Sequence, residues 1–205
     1  FLVAVERMIE LSLGANKTTQ PPAIFTCLLA MADSPSLLPF VAEHDAVTSG
    51  IVSYISSKKT SPESRSEALG FVERLVELKD SVPAAEEMLR KNAGEIVSEL
   101  RSLLRSWSRK AIAGMQRRAL AILSTISSYV KSPKQAAGVA DILLRFLNNL
   151  TEDDDQAVAD GLLSTLETMA SIARKPRRFL PRISSLFGSL KERTARDCLC
   201  RVLSR

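Results

Sequence analysis

Apolar residues recur along this chain at the spacing of an α-helix. From Met115 they fall at Met115, Ala119, Ile122, Leu123, Ile126 and Val130, one stripe of a helix with 3.6 residues per turn. A second stripe runs Val139, Ile142, Leu143, Phe146, Leu147 and Leu150. Ile96, Leu100, Leu103, Leu104 and Trp107 repeat the pattern, as do Ala68, Phe71, Val72, Leu75 and Leu78. Val158, Leu162, Leu166, Met169 and Ile172 make another, and Ala195, Cys198, Leu199 and Val202 mark a last helix. Only Ile51 to Ile55 (IVSYI) looks strand-like, and among helical neighbours it is read as helix.

Helix starts carry a recurring device. Ser-Pro stands at Ser34-Pro35, Ser61-Pro62 and Ser132-Pro133. The serine hydroxyl can accept from the free amides of a first turn, and proline suits the first helical position, where its missing N–H is not needed. Breaks fall at Asp33, Lys58 to Thr60, Asp80 to Val82 and Thr151 to Asp155. The pattern predicts about eight to ten helices of about 10–18 residues joined by short loops. A helix pair over about 115–149 and another over about 156–190 step by roughly 40 residues, the period of HEAT and armadillo arrays. The expected fold is therefore all-α, an α-solenoid of HEAT/armadillo-like antiparallel helix pairs. Residues 1–205 are read as one segment of a larger solenoid without a separate domain boundary. The apolar ends, Phe1 to Leu13 and Cys198 to Leu203, lack the polar outer face of caps, and the start at Phe1 reads as a helix cut from a longer chain.

Composition narrows the chemistry. In 205 residues there is one histidine, His44, and three cysteines, Cys27, Cys198 and Cys200, so neither a four-ligand zinc site nor a histidine-based nucleophile system finds its residues. Cys198 and Cys200 lie about 200° apart around a helix and cannot chelate one metal while the helix persists. Cys198 and Cys27 read as buried structural thiols, and His44 as a surface or helix-end residue. Asp153, Asp154, Asp155 and Asp160 do not follow the calcium-loop spacing. No glycine-rich loop could cradle a phosphate, and no apolar run is long enough to span a membrane. The expectation is a chain that is not an enzyme, with no cofactor, no metal, no membrane and no small-molecule substrate.

Charge is unevenly distributed. Residues 1–99 hold 9 Lys and Arg against 14 Asp and Glu, net −5, whereas residues 100–205 hold 19 against 9, net +10. Between Glu99 and Asp141 there is no acidic residue. That run contains Arg101, Arg105, Arg109, Lys110, Arg117 and Arg118, and a second cluster holds Arg174, Lys175, Arg177, Arg178 and Arg182. Guanidinium groups pair with phosphate in bidentate fashion, so these are the candidate RNA-binding residues, acting by phosphate contact without base reading. The alternative is a set of solvated helix faces. Trp107 could stack on a base, but it continues an apolar stripe and is read as core.

The stretches ILSTISSYV (Ile122–Val130), ADILLRFL (Ala140–Leu147) and Leu162–Leu203 carry a more specific pattern. The last includes Phe179-Leu180-Pro181, Leu186-Phe187, Arg193, Arg196 and Leu199-Cys200-x-Val202. Together they resemble the DRIM (down-regulated-in-metastasis) family, very large nucleolar HEAT-repeat proteins of the small-subunit processome, and the resemblance is extended to the whole chain. It implies a piece of a much longer α-solenoid scaffold that supports processing of pre-ribosomal RNA and assembly of the small ribosomal subunit. The implied partners are other processome proteins and pre-ribosomal RNA, weakly bound, in the nucleolus of the nucleus. No catalytic residue is implied. The competing expectation is a HEAT or armadillo adaptor or nuclear transport receptor that binds protein partners.

Overall fold

A computed structural model describes residues 36–43, 45–56, 61–105, 113–147 and 164–166, and the single positions 27, 30, 31, 34, 168, 169, 172 and 200. Two compact units divide the chain, Phe1–Leu103 and Leu104–Arg205. The helices are α1 (Leu38–Glu43), α2 (Asp45–Tyr54), α3 (Pro62–Leu78), α4 (Pro83–Arg105), α5 (Ala113–Ile126) and α6 (Pro133–Leu147). A single 3₁₀ turn, Ser127–Tyr129, follows α5. No strand occurs among the described residues, and the fold is all-α. IVSYI enters α2 through Tyr54, as its neighbours led one to expect.

At α3 and α6 the Ser-Pro device works as the sequence suggested. Ser61 holds extended backbone (φ −61°, ψ 154°), its hydroxyl accepts from the Ser64 amide at 3.2 Å, and Pro62 opens α3. The Glu63 carboxyl, in the first turn, is held below the usual carboxylate range by its own backbone amide and then by the Ser61 hydroxyl. At α6 the Ser132 hydroxyl accepts from the Gln135 amide at 3.4 Å, and the Ser132 carbonyl accepts from Ala136. Ser34 starts its turn through its carbonyl, which accepts from both Leu37 and Leu38 at 3.0 Å. Between α3 and α4 the Leu78 carbonyl accepts from the amides of Ser81 and Val82, which closes the chain into the turn expected at Asp80 to Val82.

α5 ends for a different reason. The hydroxyls of Ser124 and Thr125 both donate to the Ala121 carbonyl, and those of Ser127 and Ser128 donate to the carbonyls of Ser124 and Thr125. Such local bonding competes with the α-helical ladder, and the last turn tightens to 3₁₀. Val130 then leaves in extended conformation.

In the first unit α1 packs on α2 and α2 on α3. Ser49, on α2, donates to Glu95 on α4 at 2.6 Å, and Ser56, just past α2, donates to the Glu99 carboxylate. The partner numbers rise together, so α2 and α4 run in the same direction. α3 is joined to each by a short connection and runs the opposite way. This up-down-up order is that of stacked antiparallel helix pairs. A double-mutant cycle on Ser49→Ala and Glu95→Gln should show a coupling of about 1–2 kcal/mol in denaturant unfolding, the range of a hydrogen bond to a part-buried charged group. Coupling near zero would mean that the two side chains do not hold each other in solution.

The core follows the stripes. Ala68, Phe71, Val72 and Leu75 on α3, Ile96, Leu100, Leu103 and Leu104 on α4, Ala119, Ile122, Leu123 and Ile126 on α5, and Val139, Ile142 and Leu143 on α6 are all buried. Leu166 and Met169 are buried too. Tyr54 is buried at the end of α2, and desolvation pushes its phenol up from its ordinary value.

Two details depart from the sequence expectation. α4 has 23 residues, beyond the expected length, and runs unbroken through Asn92, whose side-chain amide donates to the Met88 carbonyl at 2.9 Å. The roughly 40-residue step is expected between a helix pair starting near 115 and one starting near 156, and the second pair lies largely outside the described residues. Cys27, expected inside, is exposed. Apolar neighbours in sequence do not decide a helical residue's face, since successive residues point about 100° apart. Cys200 is exposed as well, and His44, Trp107, Cys198 and Asp153 to Asp160 lie outside the described residues.

Candidate nucleic-acid interface

The helices that carry the candidate cations bury one broad face. On α4 the inward set is Ala85, Met88, Leu89, Ala93, Ile96, Val97, Leu100, Leu103 and Leu104. What remains outside is polar: Glu87, Arg90, Lys91, Ser98, Ser102 and Arg105 are exposed. Arg105 occupies the last turn of α4, where a cation is favoured by the negative end of the helix dipole. That position accounts for an arginine there without any ligand, yet leaves its guanidinium open to water. Arg101 is half-buried and already engaged by neighbouring groups.

In the second unit Arg117 is exposed near the start of α5, while Arg118 is half-buried and engaged. Consecutive residues do not share a helix face, so only Arg117 of the two stands free on the outside. No acidic residue lies in the first turn of α5, so no carboxylate of that turn offsets the positive end of its dipole. Gln116, next to Arg117 in the chain, is 5% exposed, and its amide nitrogen finds no hydrogen-bond partner.

Of the candidate residues, Arg101 falls in the first unit and Arg105, Arg117 and Arg118 in the second. Arg109, Lys110, Arg174, Lys175, Arg177, Arg178 and Arg182 lie outside the described residues. The sequence reading left out two exposed cations of α4, Arg90 and Lys91. Arg90 is 11 residues before Arg101, three helical turns, and so on nearly the same face. It pairs with Glu86 at 2.7 Å across a mostly exposed i,i+4 contact, which holds it only weakly. The 3.6-residue period counted back from Arg101 would have found it. Lys131 and Lys134, flanking the start of α6, are exposed as well.

The arrangement offers separated cations on helix surfaces, Arg105 and Arg117 in water and Arg101 and Arg118 half-buried and engaged. It suits contact with a polyanion at several points among the described residues. Among the described residues, no three of His, Cys, Asp and Glu gather as metal ligands, and no helix is long and apolar enough to cross a membrane.

No solved structure matches the chain. A family model described as U3 small nucleolar RNA-associated protein 20, N-terminal, matches residues 3–205. The match takes in every stretch that carried the DRIM resemblance and both structural units, and DRIM is another name for this family. The chain therefore belongs to the U3 small nucleolar RNA-associated protein 20 family.

Proposed function

We propose that this chain is a non-catalytic scaffold segment of the small-subunit processome, supporting pre-ribosomal RNA processing and assembly of the small ribosomal subunit. The observation that carries this reading is the family match over residues 3–205, whose name ties the family to a small nucleolar RNA. The stacked helix pairs support it, since surfaces of this kind bind extended partners without a pocket. In this reading residues 1–205 form one stretch of a longer HEAT-like solenoid that works in the nucleolus. Its partners are other processome proteins and pre-ribosomal RNA, the latter held by phosphate contacts from Arg101, Arg105, Arg117 and Arg118 and from the clusters at Arg109-Lys110 and Arg174 to Arg182. The adaptor or transport-receptor alternative gains nothing from the family match.

The test is sedimentation of a nuclear extract through a gradient, followed by detection of the protein. It is expected in the fast pre-ribosomal fractions, and to leave them when the extract is treated with ribonuclease. Recovery solely in slow, soluble protein complexes would overturn the proposal in favour of the adaptor.

A further inference from the structure

Of the three Ser-Pro dipeptides, Ser61 and Ser132 cap a helix through the hydroxyl, whereas the Ser34 hydroxyl bonds to that of Ser36. Their surroundings are not equal. At α3 both Ser61 and Pro62 are exposed, and Ser61 has the extended backbone that a protein-kinase cleft accepts. Ser132 and Ser34 are half-buried; the hydroxyls of Ser34 and Ser61 each bond to a nearby serine hydroxyl, Ser36 at 2.9 Å and Ser64 at 3.2 Å, so exposure is what separates the sites. A kinase pocket without a carbonyl acceptor selects proline after the serine, because any other residue would leave its N–H unpaired there.

The residue one turn further on separates the sites again. Four after Ser34 comes Leu38, and four after Ser132 comes Ala136, both buried. Four after Ser61 comes Arg65, whose amide donates to the Ser61 carbonyl at 3.1 Å. Helical side chains lean toward the N-terminus, and the charge of half-buried Arg65 reaches the first turn, where, after the Glu63 amide and the Ser61 hydroxyl, it helps to hold the Glu63 carboxyl down. The Nε of Arg65 is buried and has no hydrogen-bond partner. An enclosed donor without an acceptor is a cost that an anionic group at the cap would relieve.

We propose that Ser61 is a phosphoacceptor for a proline-directed protein kinase, and that the phosphate is then held at the start of α3 by the Ser64 amide and the Arg65 guanidinium. The γ-phosphoryl of ATP passes to Ser61 Oγ. The new Oγ–P bond replaces the bond to the bridging oxygen, ADP leaves with that electron pair, and the hydroxyl proton goes to the kinase's base. The dianion meets the positive end of the helix dipole, a placement that orders a helix start. The opposing charge is Glu63, which loses the Ser61 hydroxyl as a donor and, being fully exposed, can turn into water.

The test treats the intact purified protein with phosphatase and then with a proline-directed kinase and ATP, mapping phosphate by mass spectrometry over time. Ser61 should fill first, with Ser132 and Ser34 slower by about tenfold or more, and Pro62→Ala should slow Ser61 by a similar factor. An unmodified Ser61, a rate equal to that of Ser132, or indifference to Pro62→Ala overturns the assignment. Phosphorus NMR then reads the phosphate itself. Beside Arg65 its second ionisation should fall below the ordinary value of about 6, and Arg65→Gln should return it there while leaving the phosphorylation rate within about twofold. A titration that Arg65→Gln does not move overturns the Arg65 contact.

Discussion

Replacing Phe71 with alanine should cost the first unit about 3–5 kcal/mol, the range for emptying a large aromatic site in a packed core. Phe71 is 1% exposed in the middle of α3, with Ala68, Leu69, Val72 and Leu75 buried around it on the same helix and α2 packed against that helix. Its loss removes both the transfer free energy of a phenyl ring and the contacts of the residues that lined it. In a unit of this size the midpoint of thermal unfolding should fall by about 4–8 °C per kcal/mol. Glu77→Ala, at an exposed position six residues on, serves as the control and should stay within about 0.5 kcal/mol. Far-ultraviolet circular dichroism during urea and thermal unfolding reads both. A Phe71→Ala loss under about 1 kcal/mol would show that α3 is not fastened to a core through this face.

The second large effect concerns affinity for RNA. Lysine and arginine that neutralise phosphates release counterions, and on single strands the logarithm of affinity falls with that of salt by about 0.7 per contact. Changing Arg105 and Arg117 to Gln should therefore make the salt slope shallower by about 1.4, and adding Arg101→Gln and Arg118→Gln should bring the change to about 2.8. The first pair is exposed, so helicity should be unchanged. The second pair is half-buried and engaged within the fold, so its additional effect has to be read beside an unfolding curve. Binding to unstructured RNA of mixed sequence, followed by fluorescence anisotropy over a salt series, gives the slope. If affinity and slope stay put while the helices persist, the arginines face protein or solvent, and the basic half is a docking surface for acidic protein partners.

Much of this architecture could be read in one dimension. Helix periodicity is a local property: an apolar stripe such as Ala119, Ile122, Leu123 and Ile126 has one low-energy way to leave water, and these residues are buried. Capping is local as well, since the Ser61 hydroxyl reaches an amide three residues away whatever surrounds the helix. The family pattern belongs here too, because it is written in residue identities. Side-chain neighbours across helices are a different matter. Nothing in the spacing of Ser49, Ser56, Glu95 and Glu99 says that they meet. The pairing arises when α3 folds back and sets α2 beside α4. Burial at polar or ambiguous positions depends on the same packing. Thr48 and Gln116 are enclosed although neither belongs to an apolar stripe, and Cys27 is exposed although apolar residues flank it. The arginines divide in this way as well. Composition makes Arg101, Arg105, Arg117 and Arg118 equivalent, while the packed helices leave Arg105 and Arg117 in water and draw Arg101 and Arg118 halfway inside. A helix face is chosen by periodicity, but which groups that face meets is chosen only when the helices stack.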